Sequence, residues 1–466
     1  MRNLLLKANS ILLVMLFASH STAQESPFGD FPDPFGEEPA AGLAGDTVFG
    51  GPAPEQEGTD GEPVADVEPG PLVTQLIEHA GRGNLQLAQA VASLARIGNW
   101  KEVDRLLAAA EGRTISPPEM AQMARKIGPA ILMRIDLQSE VGEKARAAVK
   151  KLSAAATSEA ESADRLRRAI DGLDAPAVDN RLASARALLR GGNAAIAELV
   201  AAIVSDNPPA PQDEMLRTLI RLGDGGWQAL RQLALYGQPN VRVGALRALA
   251  RIDTTASLPE LVTALHASDS TATEVETANT ILASLASQPP SREATVSSLH
   301  ADLNRRREAA AQINNDDRVR VSWSVDSNRT GVTYQPTREI MLAYRDVADA
   351  ASRLRRIGGL SDEVERDVMS ADLAYRLMVD PDWGDPDQIQ EIRAAFGATA
   401  SGNTLLSAIA DSLQQDNQPA LIGLVRLVNP DAPANQVSLF LRGSGSAPTP
   451  LVAAALSPAP KVRYEA

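Results

Sequence analysis

Two segments that lie thirty residues apart have nearly the same eight-residue pattern, and this repeat constrains the fold more than any other feature of the chain. Met215–Leu222 has the sequence MLRTLIRL, and Ala245–Ile252 has the sequence ALRALARI. Two helices of this length cannot bury their apolar faces alone, so neighbouring pairs have to stack on one another. The repeat therefore predicts an array of helix pairs, each about thirty residues long.

The segments between these helices repeat as well, at a spacing of thirty-one residues. Their matching apolar positions are Ile196, Trp227 and Leu258, then Leu199, Leu230 and Leu261, then Ile203, Ala234 and Leu265. From Leu72 onward, further segments with apolar residues three and four positions apart predict more helices. Those before the repeat are Leu85–Ile97, Lys101–Ala110, Glu119–Ile127, Glu140–Ala155 and Arg165–Leu173. The body of the chain is therefore predicted to be almost entirely helical.

The composition agrees with helices and excludes several kinds of site. Aromatic residues make up only 3% of the chain, whereas β-sandwiches rely on aromatic and β-branched side chains. The absence of cysteine excludes disulfides, thiolate metal sites and cysteine nucleophiles. With four histidines in 466 residues, histidine-rich metal chemistry is not expected either. The composition therefore favours an all-α protein without a metal or cofactor.

Residues 239–249, PNVRVGALRAL, resemble the second helix of a HEAT repeat, in which a turn precedes Val-Arg and a stripe of Ala and Leu. The resemblance extends over about residues 178–287, while Ala88–Leu107 is similar to a tetratricopeptide helix pair. The HEAT resemblance implies an α-solenoid that binds proteins and seldom carries chemistry. HEAT-like enzymes that hold iron use several His-Glu pairs, and this chain has one adjacent pair, Glu78-His79. Bilin-lyase-like proteins have no compact motif and stay open as an alternative.

The first residues have the pattern of a secretory signal peptide. Arg2 and Lys7 give a positive start, and Ile11–Ala18 is apolar. Residues 21–23, STA, offer small side chains for cleavage. The apolar run is short for a membrane anchor, which needs about 20 residues. We therefore expect a mature chain that begins near Gln24, is exported to the periplasm or secreted, and has no stable membrane insertion.

An acidic segment rich in proline and glycine follows, from residue 24 to residue 71. It contains 12 acidic residues and no lysine or arginine, so it carries most of the formal net charge of −14. Such a segment buries too little apolar area to offset its ordering entropy, and we expect it to be disordered. Phe28, Phe31 and Phe35 are either a docking motif for a partner or incidental residues of a solubilising linker.

Two parts of the body depart from the complete repeat. Residues 318–325, RVRVSWSV, alternate between apolar and polar, and Val332–Tyr334 offers a partner strand. A hairpin is predicted there, with Trp323 either packed against the helices or facing a ligand.

Residues 451–466 resemble a repeat that stops before its second helix is complete. Either a further domain follows in a longer natural chain, or the array ends in a frayed tail.

These patterns predict seven segments. They are a signal peptide at 1–23, a disordered acidic linker at 24–71, N-terminal helical pairs at 72–177, HEAT-like repeats at 178–312, a β-hairpin insertion at 313–335, a C-terminal helical region at 336–446 and an incomplete repeat at 447–466. The predicted fold class is an all-α solenoid of helix pairs, partly HEAT-like and partly tetratricopeptide-like, with one short hairpin.

The arginines of the repeated pattern form the candidate binding site. They are Arg217, Arg221, Arg247 and Arg251. All four lie opposite the apolar stripe of their helices, so stacking sets them in two short ladders. In HEAT-like solenoids the second helices usually line the concave face. We predict a surface for an acidic protein partner or for the chain's own acidic segment. The alternative is a solvated face whose arginine stems cover apolar surface.

Other candidates for chemistry are weaker. Residues 380–387, DPDWGDPD, gather four carboxylates, but their spacing departs from an EF-hand loop, so helix capping by Asp385 or Asp387 is the preferred interpretation. Arg305–Arg307 and Arg353–Arg356 are interpreted as solvated helix faces, because nucleic-acid binding does not suit an exported, acidic chain. No catalytic residue, metal or cofactor is predicted, and no nucleic-acid partner.

The sequence therefore predicts a non-catalytic exported scaffold that binds a protein along the concave surface of a solenoid. Two alternatives stay open. One is the regulatory or substrate-binding part of an envelope enzyme whose catalytic domain is missing. The other is a bilin-lyase-like binder with a deep pocket between repeats.

Overall fold

The computed structural model describes residues 70–285, 288–313, 318–400, 402–428, 441 and 448–466. These residues fall into two compact units, 70–157 and 158–466. The predicted signal peptide and nearly all of the predicted acidic linker lie outside the described residues, as do residues 401, 429–440 and 442–446 of the predicted C-terminal helical region and residue 447 of the predicted incomplete repeat. The fold is all-α with one two-stranded hairpin, as the sequence predicts.

The first unit consists of short helices around one apolar core. Their bounds are α1 Pro71–Ala80, α2 Asn84–Arg96, α3 Trp100–Glu111, α4 Pro117–Ile127, α5 Pro129–Asp136 and α6 Glu143–Ala160. Asn99 begins α3 by accepting a hydrogen bond from the backbone N–H of Glu102. The centre of the core is formed by Leu87, Leu94, Leu107, Met123 and Ile135, each at most 1% exposed. The helices predicted in this region are confirmed.

The second unit begins with helices that form two rows. Their bounds are α7 Ala163–Asp171, α8 Val178–Arg190, α9 Gly192–Val204, α10 Gln212–Arg221, α11 Asp224–Tyr236, α12 Pro239–Asp253, α13 Leu258–His266 and α14 Ala272–Leu285. Helices α7, α9, α11 and α13 contact one another in this order and form the first-helix row. Helices α8, α10, α12 and α14 do the same and form the second-helix row. The predicted stack of helix pairs is therefore confirmed for residues 178–285, and α7 extends the first-helix row before it.

Leucines at repeated positions and two glycines allow the pairs to pack closely. Leu219 and Leu249 are at most 1% exposed. A Cβ atom at Gly226 would lie 2.5 Å from Cγ of Leu219, so only glycine lets the start of α11 approach α10 this closely. A Cβ atom at Gly244 would lie 2.8 Å from the backbone of Val204, at the end of α9. Both glycines therefore serve the approach of neighbouring helices.

The remaining elements follow the two rows. They are α15 Arg292–Ala311, β1 Val319–Val325, β2 Val332–Arg338, α16 Glu339–Ile357, α17 Asp362–Val379, α18 Pro386–Phe396, α19 Gly402–Gln414, α20 Gln418–Arg426, α21 Pro450–Ala455 and α22 Pro460–Glu465, with 3₁₀ turns at Gly172–Asp174 and Gly397–Ala400. Helix α16 packs between α15 and α17 and also contacts α11 and α13. Helices α21 and α22 form a pair where the incomplete repeat is predicted.

The hairpin packs against the first-helix row. Strands β1 and β2 are antiparallel, with Trp323 opposite Tyr334, and both strands contact α11. Trp323 is 2% exposed, and a Cβ atom at Gly225 would lie 3.3 Å from its ring. The predicted packing of Trp323 against the helices is confirmed. At the loop between the strands, the backbone oxygen of Arg329 accepts a hydrogen bond from Gln238, which joins the loop to the start of α12.

Truncation of a leucine at the centre of the stack tests the repeat. Leu249→Ala removes a fully buried side chain from α12, and we expect it to lower the free energy of unfolding by about 2–5 kcal/mol. Urea denaturation followed by circular dichroism measures this change. Ile220→Ala, on α10 but 55% exposed, is the control and should change the free energy by less than about 0.5 kcal/mol. Equal effects of the two substitutions would contradict the stacked packing.

Candidate functional site

The four predicted arginines lie on the exposed side of the second-helix row. Arg217 and Arg221 are on α10, Arg247 and Arg251 are on α12, and all four residues are exposed. The leucine between the two arginines of each helix is buried. Because α10 contacts α12, the structure brings the four arginines onto one surface.

A third pair of arginines extends this surface. The pair is not among the arginines predicted from the sequence. Arg186 and Arg190 are exposed on α8, which contacts α10. They flank the buried Leu188, so the pattern Arg-x-Leu-x-Arg occurs in three successive second helices. The signal is visible in the sequence as a spacing of thirty-one residues from Arg186 to Arg217. The match of α8 to α10 is weaker than the match between α10 and α12, because α8 has Ala185 where both other helices have leucine.

Two of these six arginines have acidic partners. Nη1 of Arg217 lies 2.9 Å from a carboxylate oxygen of Glu214 on the same helix. Nη1 of Arg251 lies 3.2 Å from Asp213 and donates to the side chain of Gln212 at 2.8 Å. The side chains of the other four arginines have no ion pair or hydrogen bond with another described residue. Exposed pairs of this kind contribute at most about 1 kcal/mol, so an incoming anion can displace them.

Apolar side chains lie between the arginines along the helices. Leu189 on α8 is 38% exposed, and Ile220 at the equivalent position of α10 is 55% exposed. The six arginines together with Leu189 and Ile220 are called the arginine face below. The positive charges of the arginine face can bind carboxylates or phosphates, and a smaller apolar strip lies beside these charges. A ligand that combines acidic and apolar groups matches it.

The first-helix row is covered by other parts of the same unit. Strand β2 contacts α9, both strands contact α11, and α16 contacts α11 and α13. Polar side chains of α16 form hydrogen bonds and ion pairs across these contacts. The side chains involved, called the polar interface below, are Arg231, Gln232 and Tyr236 of α11, Glu260 of α13, and Arg345, Asp349 and Arg353 of α16.

Asp349 is the central hydrogen-bond acceptor in one half of the polar interface, between α11 and α16. Its two carboxylate oxygens accept hydrogen bonds from Gln232 at 2.6 Å and from the hydroxyl of Tyr236 at 2.8 Å. Arg345 donates to the side-chain oxygen of Gln232 at 2.7 Å. Burial raises the pKa of Tyr236 well above its ordinary value of 10, and the charge of Asp349 raises it further. Tyr236 therefore stays protonated and keeps donating to Asp349.

Glu260 is the central acceptor in the other half of the polar interface, where α13 meets α11 and α16. Its side chain is 2% exposed, and one oxygen accepts from Arg231 at 2.9 Å and from Arg353 at 2.8 Å. Burial alone would raise the pKa of Glu260, but the two guanidinium groups outweigh it and lower the pKa below its ordinary value. Burial lowers the pKa of Arg353, although arginine remains protonated in proteins at neutral pH. The result is a buried carboxylate between two cations.

The interpretation of Arg353–Arg356 as a solvated helix face is wrong for Arg353 and Arg356, whereas the side chain of Arg355 is 42% exposed. The side chain of Arg353 is 2% exposed and that of Arg356 is 13% exposed, with Nε of Arg356 2.9 Å from Asp269. The physical reason is that α13 and the turn after it present carboxylates to α16. A further buried pair, Arg242 with Glu274, joins α12 to α14 at 2.9 Å.

The carboxylates of residues 380–387 act locally. Asp385 begins α18 by accepting a hydrogen bond from the backbone N–H of Asp387, so the predicted capping is confirmed. Asp380 likewise accepts from the backbone N–H of Asp382. Within the described ranges, no group of three or more histidine, aspartate or glutamate residues is arranged to hold a metal ion.

Comparisons of this chain with protein families, curated proteins and solved structures gave no match. The likeness to HEAT repeats therefore stays a prediction from the sequence. Across the part of the chain that the structure describes, no single helix has the length and apolar character needed to cross a bilayer. Helices α8 and α9 reach that threshold only when counted together, and they are bent by 119° relative to each other.

The buried ion pairs predict how stability depends on pH. The pKa values of Glu260, Glu274 and Asp302 are lowered in the folded state, since nearby arginines outweigh the effect of burial. Groups with lowered pKa values stabilise the fold above the ordinary carboxyl pKa of about 4. That stabilisation is lost as the pH falls through their lowered values. The free energy of unfolding should therefore be smaller at pH 3 than at pH 7.

Urea denaturation at both pH values measures this difference. Glu260→Gln should make the difference smaller, because the substituted side chain no longer titrates. The exposed Glu363→Gln is the control and should leave it as in the unmodified protein. A difference that is the same in Glu260→Gln as in the unmodified protein would contradict the assignment of Glu260.

Proposed function

We propose that this protein is a non-catalytic scaffold that binds an acidic segment of a partner protein on its arginine face. The observation that carries the proposal is the recurrence of exposed arginine pairs in three successive helices, with four of the six arginines unpaired among the described residues. Burying any of them without an anion would be costly, so a partner has to supply carboxylates. The signal pattern at the N-terminus supports action outside the cytoplasm, in the periplasm or beyond.

The spacing of the arginine pairs suits an extended peptide. Packed helices lie about 8–10 Å apart, so three neighbouring helices span about 20 Å. An extended chain covers this distance in about six or seven residues. A peptide that crosses α8, α10 and α12 with acidic residues at alternate positions would therefore meet all three pairs. Leu189 and Ile220 would contact the methylene groups of these acidic side chains, because the residues between them point away from the face.

A protein partner fits this face better than nucleic acid. Outside the acidic N-terminal segment and the signal, the chain is nearly balanced in charge, whereas nucleic-acid domains are usually strongly basic. The exposed apolar side chains of the arginine face also have no counterpart on a phosphate backbone. Because the first-helix row is covered within the unit, the second-helix row is the one that offers continuous exposed surface.

Binding of a defined acidic peptide tests the proposal. The probe is a fluorescein-labelled 20-residue peptide of alternating glutamate and leucine, measured by fluorescence anisotropy with the full chain. Replacement of the four unpaired arginines (Arg186→Gln, Arg190→Gln, Arg221→Gln and Arg247→Gln) should weaken binding by about tenfold or more, since each lost charge-assisted contact contributes about 0.5–1 kcal/mol at an exposed site. Binding should also weaken as salt is raised from about 0.05 to 0.5 M.

The matched control changes four exposed arginines of the first unit. These are Arg82→Gln, Arg96→Gln, Arg105→Gln and Arg113→Gln, which alter the net charge by the same amount. Equal weakening in both variants would mean that total charge, rather than the arginine face, determines binding, and would overturn the proposal. So would a failure of the unmodified chain to bind the probe at low salt.

A further inference from the structure

A cavity of about 480 Å³ lies beside the polar interface, between α11, α16, α17, the residues that lead into α18 and α18 itself. Its volume is within the range of small-ligand pockets, about 300–1,000 Å³. The inner wall includes Asp349 and Ser352, each 6% exposed. Arg376, Asp380 and Glu391 are exposed and lie at the rim. The cavity is therefore open to solvent and walled by side chains that the polar interface holds in place.

Aromatic side chains are concentrated in this cavity. They make up 3% of the whole chain, yet Tyr236, Tyr375 and Trp383 are three of its fourteen lining residues. Tyr236 is fixed by its hydrogen bond to Asp349, and Trp383 is 5% exposed. The guanidinium group of Arg426 lies 5.5 Å from the ring centroid of Trp383, so Trp383 only backs the cavity. The partly buried rings of Tyr236 and Tyr375 provide the rigid, flat apolar surface that a ligand can pack against.

The same cavity contains polar groups with hydrogen-bonding capacity left over. The side chains of Tyr375, Gln388 and Glu391 line the cavity and have no hydrogen bond with another described residue. Asp349 accepts one hydrogen bond at each oxygen, which leaves further lone pairs. The free groups include donors, the tyrosine hydroxyl and the amide, as well as acceptors, the carboxylates. A ligand that both donates and accepts at several positions uses all of them.

The charge of the cavity excludes one class of ligand. Four carboxylates line it, from Asp349, Asp372, Asp380 and Glu391, against the two guanidinium groups of Arg355 and Arg376. Both guanidinium groups face Asp372, at 3.7 and 2.7 Å. Phosphates and carboxylic acids would therefore be repelled.

We infer that this cavity binds a sugar of one or two rings. A sugar ring has C–H faces that pack against aromatic rings, and its hydroxyl groups donate to carboxylates and accept from the tyrosine hydroxyl and the glutamine amide. A simple amine would use the carboxylates but leave these donors without partners. The inference is independent of the proposed function, because the cavity is lined by α11 and α16–α18, whereas the arginine face belongs to α8, α10 and α12.

Ligand-observed NMR and calorimetry with the full chain test the inference. The probes are glucose, cellobiose, N-acetylglucosamine and N,N′-diacetylchitobiose, with spermidine as the competing amine. We expect saturation transfer to at least one sugar at about 10 mM, and a dissociation constant in the millimolar range or below. Tyr375→Ala should weaken binding of that sugar about tenfold, because it removes both an aromatic face and a hydroxyl group.

Matched variants separate loss of binding from loss of folding. Tyr344→Ala changes a tyrosine of α16 that is also partly buried but does not line the cavity, and it should bind the sugar like the unmodified chain. Glu391→Gln, at the exposed rim, should weaken sugar binding and leave the thermal midpoint unchanged. The exposed Glu363→Gln is its control and should change neither sugar binding nor the thermal midpoint. The inference is overturned if no sugar gives saturation transfer, if only spermidine binds, or if Tyr375→Ala and Glu391→Gln bind like the unmodified chain.

Discussion

A carboxylate buried between two guanidinium groups links the helix repeats to the helix that covers them. Glu260 belongs to the repeats, Arg353 belongs to α16, and each side chain is 2% exposed. Bringing such charges out of water is costly, so the group adds little net stability compared with apolar packing. Separating Glu260 from Arg353 is costly as well, since Arg353 would be left buried without its carboxylate partner and Glu260 would keep only Arg231. The pair therefore fixes where α16 lies along the first-helix row, which apolar contacts alone would specify less strictly.

This placement has consequences for both candidate sites. With the first-helix row covered by α16 and the hairpin, the exposed arginines of α8, α10 and α12 are left as the continuous charged surface of the repeats. The cavity depends on the other half of the polar interface, because Tyr236 and Asp349 belong both to that interface and to the cavity wall. The two halves of the polar interface thus hold α16 in the position that shapes the cavity and leaves the second-helix row open.

Periodicity in the sequence predicts the helix pairs and the hairpin, because both depend on local patterns. The identical arginines and leucines of α10 and α12 give the repeat, and the alternation around Trp323 gives β1. The second strand extends to Arg338, beyond the predicted end at residue 335, because Arg338 pairs with Val319 across the hairpin. The burial of Arg353 could not be predicted in this way. Its partner, Glu260, lies 93 residues earlier, and a helix sequence alone does not show which residues face it.

A double-mutant cycle between Glu260 and Arg353 tests the central claim most directly. Glu260→Gln, Arg353→Met and the double variant are compared with the unmodified chain by urea denaturation at pH 7. If the two side chains hold α16 to the repeats, the double variant should lose less stability than the two single losses added together, with a coupling of about 2 kcal/mol or more. Single effects that add to within about 0.5 kcal/mol would show that the two charges do not depend on each other, and would contradict the account.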